Sequence, residues 1–344
     1  MGEAASANYL LETRGQSRDL GAWVVGAVFA RDGASCAFGL GDGTLRIART
    51  AAPGDPWTEA PAHGGACLAL SADGASGFLS GGDDGRLVAA GPDGTVVEIA
   101  RYGSRWVEHV ASHESGLRAA AVGKALHLVD GAGKALKSLA HPSAVSGMAF
   151  DAKGKRVAAS HYGGASLWFV GAKADKPRLL EWKGSHGAIA ISPDGTHVVT
   201  AMQENALHGW RLADGQHMRM SGYPSKTRFL SFTAKGRWLA TSGSESVVLW
   251  PFFGGGPMGK APTELAGGDA VLCSAVACHP QQEVVAAGFT DGLVVLAEIA
   301  SGRVVPVAAP GHGPVSAIAW SPAGTHLAFG TETGFGGLVD LSRR

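Results

Sequence analysis

A chain of 344 residues that is 45% hydrophobic, 17% charged and rich in glycine (52 residues) is built to fold with many turns, not to be disordered or fibrous. Its 29 basic and 29 acidic residues cancel to a formal charge of zero, so no global field favours nucleic acid or an anionic membrane as a partner. No apolar run approaches the roughly 18 residues of a membrane helix, and no membrane insertion is expected.

The N-terminal stretch MGEAASANYLLETRG holds acidic residues and no apolar core of signal-peptide length. Met1 to Ser6 match the permissive N-myristoylation pattern, which reads as a chance match. Cys36, Cys67, Cys273 and Cys278 lie in apolar, strand-like stretches, as buried thiols of a reducing cytoplasm would. Cys273 and Cys278 would face opposite sides of one strand and could not share a metal.

From Trp23 onward the chain repeats itself. Turn-closing anchors fall at Gly33, Gly74, Gly116, Gly154, Gly195, Gly236, Gln282 and Gly324, roughly 40 residues apart. Just before each turn comes a large-small-large triplet, such as Leu68-Ala69-Leu70, Met148-Ala149-Phe150, Ile189-Ala190-Ile191 and Ile318-Ala319-Trp320. This is the period of a strand, apolar or small on both faces, and it predicts an innermost strand buried on both sides. A second strand follows, as in Val157-Ala158-Ala159 and Val198-Val199-Thr200. Asp42-Gly43, Asp84-Gly85 and Asp291-Gly292 then supply hairpin turns. The third strand carries a large residue at Ile47, Val88, Trp168, Trp210, Trp250 or Leu296, and a more polar fourth strand follows, such as Thr95 to Ile99.

The stretches ISPDGTHVVT with HGW, WSPAGTHLAFG and LATSGSESVVLW resemble the WD-repeat β-propeller family, as a divergent, bacterial-style member, over Trp23 to Leu341. The resemblance implies an all-β, closed propeller of four-stranded blades in a single domain spanning 1–344. Eight anchors predict eight blades, with repeats over about 17–342. Seven is the alternative, if the irregular third unit near RWVEHVASHESGLRAAAVG is a loop excursion. Overlap closure, a habit of the family, assigns the last blade's missing strand to the N-terminal segment 1–16, between Asn8 and Arg14 and centred on Tyr9 to Thr13. The departures are that Trp168, Trp210 and Trp250 are not followed by Asp, and that the family's structural histidine has candidates only at His141, His186 and His312. The family's side-chain hydrogen-bond tetrads are therefore not expected to survive.

A search for chemistry finds no nucleophile elbow, zinc-protease helix, phosphate loop or paired C-x-x-C. GLGDG at Gly39 to Gly43 has no following helix to aim amides at a phosphate and reads as a β-turn. The thirteen histidines lack ligand spacing, apart from His109 and His113 in the irregular unit, and read as structural or surface residues. No catalytic, cofactor or metal residue is assigned.

In a propeller of this family, the crossings from fourth to first strands and the second-to-third turns share one face, the family's usual binding face. Repeat register places Trp23, Arg105, Trp106, His161, Tyr162, Met202, Arg228 and Phe289 in or beside those loops, as candidate partner-binding residues. The expectation is a non-catalytic scaffold for one or more proteins. The alternative is a small-molecule- or metal-handling propeller with a site at the mouth of the central channel.

Overall fold

The computed structural model describes residues 8–267 and 270–342, which leaves the myristoylation-like Met1 to Ser6 outside the described residues. Among the described residues are thirty β-strands and one five-residue helical turn, Leu10–Arg14. The first repeat unit shows the plan: Val24–Phe29, Ser35–Leu40, Thr44–Arg49 and Thr58–Pro61 pair in that order, each antiparallel to the next. Every glycine anchor of the repeat has a positive φ, from 54° at Gly74 to 86° at Gly116. That conformation is open to glycine at no steric cost and explains why it recurs there.

Neighbouring sheets pack face to face through large residues of their second and third strands. Leu45, Ile47, Phe78 and Val88 form one such cluster. Trp168, Trp210 and Trp250 are buried at their expected third-strand positions, whereas Leu296 is partly exposed. The innermost strands differ from expectation. Their residues, such as Leu230 to Phe232 and Ile189 to Ile191, are only half-buried, while second strands such as Ser35–Leu40 and His197–Met202 are buried throughout. The physical reason is that the first strands line a central channel, so the second strands are the ones enclosed on both faces.

The strand pairing yields seven sheets instead of the expected eight blades: six of four strands, and one of six. The departure does not lie in the irregular third unit, where His109–Ser112, Arg118–Val122, Ala125–Val129 and Ala135–Ala140 make an ordinary four-stranded sheet. It lies in two 14-residue strands, Arg156–Phe169 and Arg178–Ile191. The first continues from Val157-Ala158-Ala159 through Gly163 and Gly164 to Trp168. The second runs without a loop into Ile189-Ala190-Ile191. The N-terminal part of Arg178–Ile191 pairs with Tyr162 to Leu167 and its C-terminal part with Val198 to Met202, so this one strand belongs to two successive ladders and links them into a single six-stranded sheet.

An N-terminal strand does complete the last sheet, but not where the sequence suggested. Gly15–Asp19 pairs with Phe335–Asp340, from Gly15 opposite Val339 to Asp19 opposite Phe335. The expected closure residues Tyr9 to Thr13 belong instead to the helical turn and its N-cap. Adjacent Leu10 and Leu11 would point to opposite faces of a strand, but on a helical turn both pack against the cluster of Val307, Ala308 and Phe329. Gly15 lets the chain leave that turn, because a Cβ there would lie 2.7 Å from Leu11 Cδ1.

Candidate protein-interaction face

Backbone hydrogen bonds tie each crossing loop to a nearby second-to-third turn. Gly41 N–H donates to the Trp23 carbonyl at 2.8 Å, Tyr102 N–H to Gly85 at 2.8 Å, His141 N–H to Lys124 at 2.9 Å and Gly311 N–H to Asp291 at 2.7 Å. The turn glycines permit this approach: a Cβ on Gly85 would meet the Gly103 carbonyl oxygen at 2.0 Å. Loops from every part of the ring are thereby held on one face.

Five of the eight candidate residues present their side chains there. Trp23 is 49% exposed, Trp106 58% and Tyr162 68%, and Arg105 and Arg228 are also exposed. Val107 N–H donating to Gly82 at 2.9 Å fixes the backbone beside Trp106. Tyr102, beneath Arg105, stacks on His127 with ring centroids 4.5 Å apart. Tyr162 is positioned by its N–H donating to Ser143 Oγ at 2.8 Å. The other three side chains are buried. His161 lies between Ser166 Oγ and the Tyr162 carbonyl, each 2.9 Å away, and Phe289 packs with Val276 and Val285. Met202, which ends a fully buried strand, contributes to packing in the same way.

The structure brings Trp23 and Arg228 together at a cavity of about 480 Å³ in the channel mouth, with Lys226 and Glu332. Beyond it the channel opens into a second cavity of about 600 Å³, lined by first-strand residues such as Val25, Ala69, Val110 and Ala188. Tyr162 and Trp106 line neither cavity.

Buried polar chains behind this face depart from expectation. His63 Nε2 is 2.8 Å from Ser80 Oγ and its Nδ1 3.1 Å from Asp84. Trp168 donates its indole N–H to His141 at 3.0 Å, and His186 meets Thr200 at 2.7 Å. In the sixth unit a tyrosine stands in: Trp250 donates to Tyr223 Oη at 2.7 Å, and Tyr223 is 2.6 Å from Thr241 Oγ1. The third expected histidine, His312, stacks on Phe335 at 3.8 Å instead. Side-chain chains of this kind thus survive in four units, contrary to the sequence reading. His63 was legible, standing before Gly74 much as His312 stands before Gly324. Tyr223 was not, because its role rests on a change of residue type.

Burial lowers the pKa of these imidazoles. His141 falls to about 4 through burial and then the neighbouring His161. His208 falls to about 3 through burial and then His217, 2.9 Å away. His113 caps its own turn through Ser115 at 3.0 Å and does not join His109, which lines the channel. Among the described residues no group of three or more His, Cys, Asp or Glu side chains is placed to hold a metal. The four cysteines are free, and burial pushes the Cys273 thiol up to about 12. Among the described residues no helix is long and apolar enough to cross a membrane.

A ring of antiparallel sheets, six of them four-stranded and one six-stranded, with crossings and turns gathered on one face, defines a β-propeller. The computationally designed Ika8 protein shares this fold, with a TM-score of 0.76 over 93% of this chain and 96% of its own, at 17% identity. The family model "WD domain, G-beta repeat" matches residues 305–334, and no curated protein sequence matches the chain. The repeat match, lying within this architecture, supports a place among the WD-repeat propellers. Such propellers are in general protein-interaction scaffolds.

Proposed function

We propose that the protein is a non-catalytic scaffold that binds other proteins through the crossing-and-turn face, using Trp23, Arg105, Trp106, Tyr162 and Arg228. The observation that carries this reading is the contrast among large aromatics. Trp23, Trp106 and Tyr162 are half-exposed or more on one face, while Trp168, Trp210 and Trp250 are buried. Aromatic and arginine side chains so displayed are the residue types enriched at binding hot spots. Free cysteines, three buried and Cys278 partly so, suit a reducing cytoplasm, which is where we place the protein. We also read the six-stranded sheet as two repeat units joined by its two long strands, which gives a ring of eight repeats. The support is that it carries first-strand triplets of two units, Met148-Ala149-Phe150 and Ile189-Ala190-Ile191.

The test is affinity capture followed by mass spectrometry, with Arg105→Ala/Trp106→Ala and Trp23→Ala/Tyr162→Ala as comparison baits. Each lost hot spot should weaken capture of a specific partner about thirtyfold, or roughly 2 kcal/mol, at an unchanged melting temperature. Equal capture by all baits would remove the face from consideration.

A further inference from the structure

The whole chain is electrically balanced, but the channel mouth is not. Among the described residues lining its two cavities, the formal charges are Lys226, Arg228 and Glu332. Both cations come from one crossing loop and border both cavities. Neither is neutralised by a close contact. Lys226 Nζ donates to a neutral acceptor, Gln203 Oε1, at 2.8 Å. The Arg228 guanidinium is 68% exposed and only approaches Glu332, at 4.0 Å. With Trp23, the apolar side chains Phe229, Leu272 and Pro314 line the same cavity, interleaved with serine and threonine hydroxyls.

From this arrangement we propose that the face recognises an acidic peptide segment: a carboxylate side chain seats against Lys226 and Arg228, and an adjacent apolar side chain enters the cavity beside Trp23. The inference rests on the scaffold reading above and specifies its partner. Charge complementarity selects the carboxylate, since two cations oppose one loosely held anion. The concave wall favours a side chain over a polyanion, because the cavity of about 480 Å³ offers apolar side chains beside Trp23 and only two cations, no track of them for a phosphate backbone. The guanidinium can hold a carboxylate in two parallel hydrogen bonds, whereas Lys226 acts as a point charge.

The experiment measures fluorescence polarisation with the full chain and three labelled hexapeptide pools. All contain Phe, Trp and Leu, mixed with Asp and Glu in one pool, Ser and Gln in the second, and Lys and Arg in the third. The acidic pool should bind at least about tenfold more tightly than the others, and more weakly as salt is raised. Trp23→Ala should weaken that binding. Lys226→Glu/Arg228→Glu should abolish it and transfer the preference to the basic pool. Melting curves of this double variant should match the parent, since both side chains are exposed. Equal binding of the three pools, unchanged binding by the charge-reversed variant, or tighter binding of a single-stranded oligonucleotide than of the acidic pool would overturn the proposal. The scaffold reading answers separately to the capture experiment, whose Arg105→Ala/Trp106→Ala bait leaves this cavity untouched.

Discussion

The Ser316 hydroxyl donates to the carbonyl oxygen of Val24 at 2.6 Å, joining residues 292 positions apart where the last sheet meets the first. A comparable bond, Ser274 Oγ to the Val315 carbonyl at 2.7 Å, links the sheets before it. With the Gly15–Asp19 strand, this contact makes the ends of the chain part of the ring.

Closure should therefore depend on the strand more than on the helical turn before it. Removing residues 1–19 should lower the melting temperature far more than removing residues 1–14, because only the longer deletion exposes the edge of Phe335–Asp340. Ser316→Ala should cost about 1 kcal/mol in chemical denaturation. Equal melting of the two truncations would place the closure elsewhere.

The tyrosine of the sixth unit should matter through its hydroxyl. Tyr223→Phe leaves the buried Trp250 indole N–H and Thr241 hydroxyl short of a partner, and should cost about 1–3 kcal/mol. Trp250→Ala should cost about 3–5 kcal/mol through the cavity it opens. In the double variant the two losses should add to less than their sum, which a urea-denaturation cycle measures.

Arg118 and Asp73 form a buried, two-pronged ion pair, Nε to Oδ1 at 2.9 Å and Nη2 to Oδ2 at 2.7 Å, between the second and third sheets. Asp73→Ala should cost about 3–5 kcal/mol, because it strands a guanidinium away from water. Replacing the pair together, Asp73→Leu with Arg118→Met, should cost less than that single change. Urea midpoints of the three variants decide it.

Stability should fall as the solution is acidified from neutral. His208 and His141 hold folded-state values of about 3 and about 4, below the ordinary 6.5, so the unfolded chain takes up their protons first. Their contribution is complete above pH 6.5 and is lost progressively toward pH 4. Urea unfolding at pH 7.5 and pH 5 should show a difference on the order of a few kcal/mol, reduced in a His208→Gln variant. A flat profile over that range would contradict the burial of these rings.

The aromatic and anchor positions show why part of this molecule was legible in advance. Trp168, Trp210 and Trp250 follow from strand period and turn spacing, both local properties of the chain. Trp23, Trp106 and Tyr162 are exposed in the loops where repeat register put them, because register alone sets which loops lie together. His161, Met202 and Phe289 have the same register but turn inward, since a position beside a loop does not fix which way its side chain points.

What the sequence determined by itself was the repeat, its strands and its turns, because alternation and positive-φ glycines act within a few residues of chain. The tertiary structure alone decided the rest. The strand Arg178–Ile191 runs on across a unit boundary because it pairs at one end with Tyr162 to Leu167 and at the other with Val198 to Met202, with no loop between. Closure falls on Gly15–Asp19, while Leu10 and Leu11, adjacent in sequence, both pack on one cluster from a helical turn, which a strand's alternation would not allow. Lys226, Arg228 and Trp23 become neighbours only once the ring closes, since they stand in loops on opposite sides of the junction between the chain's two ends. Contacts between such distant residues are set by the circumference of the whole ring, which no local pattern encodes.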